Sequence, residues 1–143
     1  MIESLRVLFL CTGNSCRSQM ADGVVNHDFS GKLAAVSAGT EPSGLNPRAV
    51  QVMHEIGIDI TNNTSDHLNR YADQAFDYVI SLCGDADEKC PAFFGGVKRR
   101  HMPFDDPPRA TGSDEQILAV YRRVRDEIRE QMNHFFSEEL GGK

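Results

Sequence analysis

The chain has 143 residues, 40% of them hydrophobic and 25% charged, which is the composition of one soluble globular domain and excludes a disordered chain. Its formal net charge of −6 argues against nucleic acid as the main partner, while leaving room for a locally positive site that takes an anion. No apolar run approaches the roughly 20 residues a membrane helix needs, and the N-terminus lacks the basic region and cleavage site of an export signal.

In chain order, Leu5–Leu10 is a short apolar run and reads as a buried parallel strand ending at Cys11. Thr12-Gly13-Asn14-Ser15 is turn chemistry, and a helix is expected from Arg17, with Met20, Ala21, Val24 and Val25 at helical spacing and Ser30-Gly31 as its stop. Leu33–Ala38 reads as a second strand. Asn46-Pro47 supplies an N-cap and a first-turn proline for a helix whose stripe is Ala49, Val50, Met53 and Ile56 and which Gly57 ends. Phe76–Leu82 reads as a third strand and Arg99–Met102 as a short fourth. Ser113 to Gln116 form a capping box, after which Ile117, Tyr121, Val124, Ile128, Met132 and Phe135 mark a long amphipathic helix. Residues 141–143 read as a frayed tail.

Strands alternating with helices imply an α/β domain spanning residues 1–143, with a four-stranded, mainly parallel open sheet and helices on both faces. Such sheets bind ligands beyond the carboxyl ends of their strands. Cys11 and Cys83 each follow such an end.

The Cys11-Thr12-Gly13-Asn14-Ser15-Cys16-Arg17 loop places a cysteine, five residues and an arginine between a strand and a helix. A loop feeding a helix N-terminus gathers backbone N–H groups and the positive end of the helix dipole, which suits a tetrahedral oxyanion. Gly13 permits the tight turn, Asn14 tolerates left-handed dihedrals, and the planar fork of Arg17 fits two anion oxygens. Cys11, facing the same donors, is expected to react as a thiolate, with Ser18 in reach to hydrogen-bond it. The loop lacks the Gly-Lys-Ser/Thr ending of a nucleotide-binding P-loop. The plain alternative is a buried Cys11 and a surface ion pair for Arg17.

On these residues the chain resembles the low-molecular-weight protein tyrosine phosphatase fold. That resemblance implies a general acid in a late Asp-Pro, here Asp106-Pro107, with Asp105 the competing carboxylate. The Cys83–Cys90 segment separates two branches. Two cysteines seven apart on an intact helix lie roughly 10 Å apart along its axis, beyond the roughly 7 Å between Cα atoms that a disulfide allows. They pair only if the segment loops, which Gly84 and Pro91 favour.

That segment, with Ser37-Ala38-Gly39, Asn46-Pro47, Thr64-Ser65-Asp66 and Phe104-Asp105-Asp106-Pro107, resembles the thioredoxin-coupled arsenate reductases, which share the fold and serve arsenic detoxification. The likeness runs from Val7 to Phe135. It implies a thiol relay: Cys11 attacks arsenate held by residues 12–18, Asp106 protonates the departing hydroxyl, Cys83 attacks Cys11, Cys90 attacks Cys83, and thioredoxin reduces the last disulfide. Glutaredoxin with glutathione serves other relatives. Cys16 has no assigned step.

No tightly bound cofactor is implied, but some relatives hold potassium near the loop. The matching positions are Asn14, Asp22, Ser37 and Asp66, all oxygen-bearing, with Asp22 standing where the relative has Glu. With no export signal the reducing cytoplasm is the expected compartment, a monomer is the default state, and the charge and hydropathy point to neither a nucleic-acid nor a membrane partner. A tyrosine phosphatase with an aryl phosphate substrate is the competing reading, though Pro108 stands where phosphatases carry an aromatic residue and the chain has no Trp. Weak phosphatase activity is compatible with either branch. A zinc module fits poorly, since structural zinc prefers cysteine pairs two to four residues apart. A non-catalytic anion-binding domain would not need the full set of thiols.

Overall fold

The structure is a computed structural model and describes residues 4–83 and 96–141. The four strands are β1 (Leu5–Leu10), β2 (Leu33–Ala38), β3 (Phe76–Ser81) and β4 (Gly96–His101), and the helices are α1 (Arg17–Asp28), α2 (Pro47–His54) and α3 (Asp114–Gly141). The sheet order is β2-β1-β3-β4, and all three pairings are parallel. β1 is central, so Val7, Leu8, Phe9 and Leu10 are buried on both faces, which explains its unbroken apolar run.

One sheet face packs under α1, α2 and α3, with Val7, Phe9, Tyr78 and Ile80 meeting Met20, Val24, Met53, Tyr121, Val124 and Ile128. On the other face, Leu8, Leu10, Ala38 and Val79 pack with Tyr71, from a 3-10 turn at Leu68–Tyr71. A second 3-10 turn spans Pro107–Arg109. The β4 edge carries Lys98, Arg99 and Arg100, exposed cations that deter edge pairing.

The fourth strand begins at Gly96, three residues before the sequence expectation. There it gains pairing to β3, from Phe76↔Gly96 to Ser81↔His101, which outweighs the polar character of its side chains. Gly141 belongs to α3 rather than to a frayed tail, and residues 142–143 lie outside the described residues. Among the described residues no helix is long and apolar enough to cross a membrane.

The end of α1 is tied to α3 by Asp28. Its carboxylate accepts Arg129 Nε at 2.9 Å and Nη2 at 2.8 Å, and Asn133 Nδ2 at 2.9 Å. Burial raises the Asp28 pKa, but the hydrogen bonds from Arg129, His27 and Asn133 outweigh it and bring the group down to about 2. A depressed carboxylate contributes stability above its ordinary pKa and loses it as pH falls toward the folded-state value. Asp28→Asn is therefore expected to lower Tm by roughly 2–8 °C above about pH 4. The difference should shrink to nothing near about pH 2. An equal deficit at both ends of a Tm-versus-pH series would refute this.

Candidate active site

The loop between β1 and α1 is held from outside through its carbonyl groups. Thr12 O accepts Glu41 N at 2.9 Å, Gly13 O accepts Ser43 N at 3.0 Å, and Ser15 O accepts Asn46 N at 3.0 Å. Asn14 O accepts Ser65 Oγ and Gln19 Nε2, each at 2.9 Å. These bonds engage the carbonyls of residues 12–15 from outside the loop. Asn14 takes the left-handed conformation at φ 44°, and α1 begins at Arg17 with no side-chain cap on its first amides.

Cys11 Sγ and Ser18 Oγ are 2.9 Å apart. Asn14 occupies one acceptor position of the Ser18 hydroxyl. The Asp66 backbone N–H can only donate, and it reaches Asn14 Oδ1 at 2.7 Å; Asn14 Nδ2 then donates to Ser18 Oγ at 2.9 Å. Ser18 accepts from Asn14, and its own proton is available to a Cys11 thiolate. Cys11, Asn14 and Ser18 are all buried.

Arg17 is 3% exposed and held at the far side of the loop. Its Nη1 donates to Phe104 O at 3.2 Å and Leu82 O at 3.4 Å, and its Nε lies 3.6 Å from Asp106 Oδ1. A cavity of about 270 Å³ is lined by Cys11, Arg17, Asp106, Pro108 and Arg109 with loop residues 12, 13, 15 and 16 and Ser43. Asp105, the competing carboxylate, instead pairs with Arg123 at 3.0 Å and is 72% exposed.

Cys16 lines the same cavity but is buried in the core. Burial first, then the neighbouring Cys11 and Asp106, push its thiol far above the ordinary value, so at neutral pH it is a protonated, weak nucleophile. Cys83 is buried just past β3, and Leu82 N donates to Leu10 O at 2.9 Å, which sets Cys83 one strand over from Cys11 at the same sheet end. Cys90 lies outside the described residues.

Of the four oxygen-bearing positions, Asp22, Ser37 and Asp66 line one cavity of about 250 Å³. Asn14 meets it through its bond to the Asp66 backbone. Asp22 accepts Asn26 Nδ2 at 2.8 Å and Ser37 Oγ at 3.2 Å, and burial, partly offset by these bonds, pushes it up to about 7. Asp66 is engaged by Arg70 at 2.8 Å and by Thr64 at 2.7 Å.

Sequence reasoning missed Glu41 and Ser43 and the bracing role of Asn46 and Ser65, and missed Arg109. The braces act through backbone atoms or a single hydroxyl, which leave no pattern in a sequence. Arg109 had a usable signal, three residues after the candidate acid.

A strand-end cysteine, a loop braced by its carbonyls and a buried arginine opening a helix define a phosphatase-type thiol site. The chain belongs to the low molecular weight phosphotyrosine protein phosphatase family, whose profile matches residues 6–143. It is 48% identical over 134 residues to the arsenate reductase of Bacillus subtilis, covering 94% of this chain and 96% of that one. A solved arsenate reductase in its phosphate-binding state superposes with a TM-score of 0.78 at 37% identity, covering 94% of this chain and 98% of its own. A thioredoxin-dependent arsenate reductase of Corynebacterium glutamicum superposes with a TM-score of 0.63 at 27% identity, covering 92% of this chain and 61% of its own.

Proposed function

We propose that this chain reduces arsenate to arsenite through Cys11, Cys83 and Cys90, with thioredoxin as the reductant. The observation that carries the reading is the pairing of Cys11, backed by a hydroxyl donor, with a second buried cysteine at the end of the adjacent strand. A phosphatase has no use for that second thiol. The 48% identity to an arsenate reductase supports the substrate, and the thioredoxin-dependent relative supports the reductant.

Arsenate enters the loop with its oxygens on the amides of residues 12–18 and on Arg17. The Cys11 thiolate attacks arsenic, and Asp106 gives its proton to the departing hydroxyl, which leaves as water. Cys83 then attacks Cys11 Sγ. The S–As electron pair stays on arsenic, taking it from As(V) to As(III), and a Cys11–Cys83 disulfide forms as arsenite leaves. Cys90 attacks Cys83, restoring the Cys11 thiolate, and the thioredoxin dithiol reduces the resulting Cys83–Cys90 disulfide. Aryl phosphate hydrolysis is expected only as a weak side activity.

The test is arsenate-dependent NADPH consumption coupled through thioredoxin and thioredoxin reductase. The wild type turns over, while Cys90→Ser releases at most about one arsenite per chain and then stalls. Aryl phosphate hydrolysis without arsenate turnover would replace this reading with a phosphatase.

A potassium ion belongs to the same proposal. The chemistry of the donor set fits one: the buried Asp22 carboxylate and the Ser37 hydroxyl share a polar cavity with Asp66, and a hard cation takes oxygen ligands. Bound there, the ion would offset the buried charge of Asp22 and stiffen the wall that orients Asn14. The same assay in potassium and choline chloride at equal ionic strength, with Tm measured in parallel, tests it. Equal Tm and rate in both salts would remove the ion from the account.

A further inference from the structure

The cavity holds a second guanidinium. In a 3-10 turn, residues three apart eclipse each other, and the turn at Pro107–Arg109 brings Arg109 back over Asp106. Arg109 N donates to Asp106 O at 3.0 Å, and Arg109 Nε lies 3.8 Å from Asp106 Oδ2. Asp106 is thus bracketed, with Arg17 on Oδ1 and Arg109 on Oδ2. The two arginines differ in exposure. Arg17 is buried and held by two carbonyls, whereas the Arg109 side chain is 54% exposed at the cavity mouth.

We propose that Arg109 is an anion-binding residue of this site, engaging the outer oxygens of a small, doubly charged tetrahedral oxyanion opposite Arg17. Charge gives the reason. Among the described residues lining the cavity, a Cys11 thiolate and an Asp106 carboxylate against Arg17 alone would sum to a negative charge, which repels a dianion. Arg109 brings that sum to neutral, and the loop amides and the α1 dipole then favour the anion. On anion entry Arg109 exchanges the carboxylate oxygen for an anion oxygen, and Asp106, no longer paired with Arg109, takes up a proton from solvent and can then serve as the acid. Its place at the mouth beside Pro108 is also where the ester group of a bulky phosphomonoester would have to pass, so Arg109 favours the free oxyanion.

The inference rests on the loop being an oxyanion site, but not on turnover or on thioredoxin. The test is protection of Cys11 by inorganic phosphate against alkylation by iodoacetamide, a neutral reagent whose approach does not sense charge. The modified residue is read by peptide mass. Arg109→Gln and Arg109→Ala are each expected to raise the half-protecting phosphate concentration about 10-fold at low ionic strength. Arg109→Lys should raise it by about threefold or less, and the gap should close as salt rises. Arg109→Gln keeps the side chain's length at an exposed position, so it reads the charge even if Arg109→Ala folds poorly. If Arg109→Gln is protected at the wild-type phosphate concentration, Arg109 is only a partner of Asp106 and the proposal falls. Absence of protection in the wild type would overturn the oxyanion site itself, and Arg109 with it.

Discussion

Cys11→Ser is expected to bind the oxyanion and reduce none of it, a loss of at least about 10⁴-fold in arsenite formation. The serine hydroxyl ionises far above neutral pH, and one donated hydrogen bond from Ser18 cannot bridge that gap. Neither described thiol substitutes for it. Cys16 is held protonated by burial, and Cys83 sits past the neighbouring strand rather than over the loop amides. Binding should persist, because the loop backbone, its outside braces and the carbonyl-held Arg17 do not involve the sulfur. Losing the thiolate charge also removes a repulsion against the anion. Single-turnover arsenite formation and phosphate binding by calorimetry separate the two effects. Residual reduction above about 1%, or a phosphate affinity weakened by more than about 10-fold, would sink the assignment of Cys11 as nucleophile alone.

The second large effect is expected at Gly39, just past the end of β2. A Cβ there would lie 2.4 Å from Thr12 O, 2.5 Å from Cys11 O and 3.0 Å from Asn14 N. All three are backbone atoms of the loop, so no side chain can swing aside. Gly39 cannot retreat either, because its N–H donates to Asp66 O at 2.9 Å and its carbonyl accepts Leu68 N at 3.0 Å. Gly39→Ala must push the loop outward and strain its braces. A cost of about 3 kcal/mol or more is expected. Where the protein still folds, turnover should fall by about 100-fold, because a displacement near 1 Å spoils attack geometry. Gly141→Ala, where an added Cβ meets nothing within 4 Å, is the control and should be neutral or slightly stabilising. Urea midpoints for the two variants check the prediction; similar midpoints would mean that the loop yields easily at Gly39.

Much of the fold was legible because it rests on local patterns. β1 and β2 match their apolar runs, and Asn46 caps α2 by accepting Arg48 N at 2.8 Å and Ala49 N at 3.2 Å. The capping box is realised as Ser113 N to Gln116 Oε1 at 2.8 Å and Gln116 N to Ser113 Oγ at 3.2 Å. β4 was read short because Lys98, Arg99 and Arg100 do not resemble a strand. It exists through pairing with β3, and no local signal reports that.

The same division runs through the site. The sequence by itself determined that a cysteine and an arginine flank a strand-to-helix loop, that Asn14 tolerates φ 44°, and that an acid precedes a proline turn. Those features depend on residue type and short spacing. Only the tertiary structure decided that Asp106 lines the cavity while Asp105 pairs with Arg123, that the Asp66 amide and Asn14 hold Ser18 beside Cys11, and that Gly39 must be bare. Each of those depends on groups from separate stretches of the chain meeting at hydrogen-bond or contact distance. Such meetings arise from packing helices against one sheet, and the directions they impose on protons and charges exist only once that packing is complete.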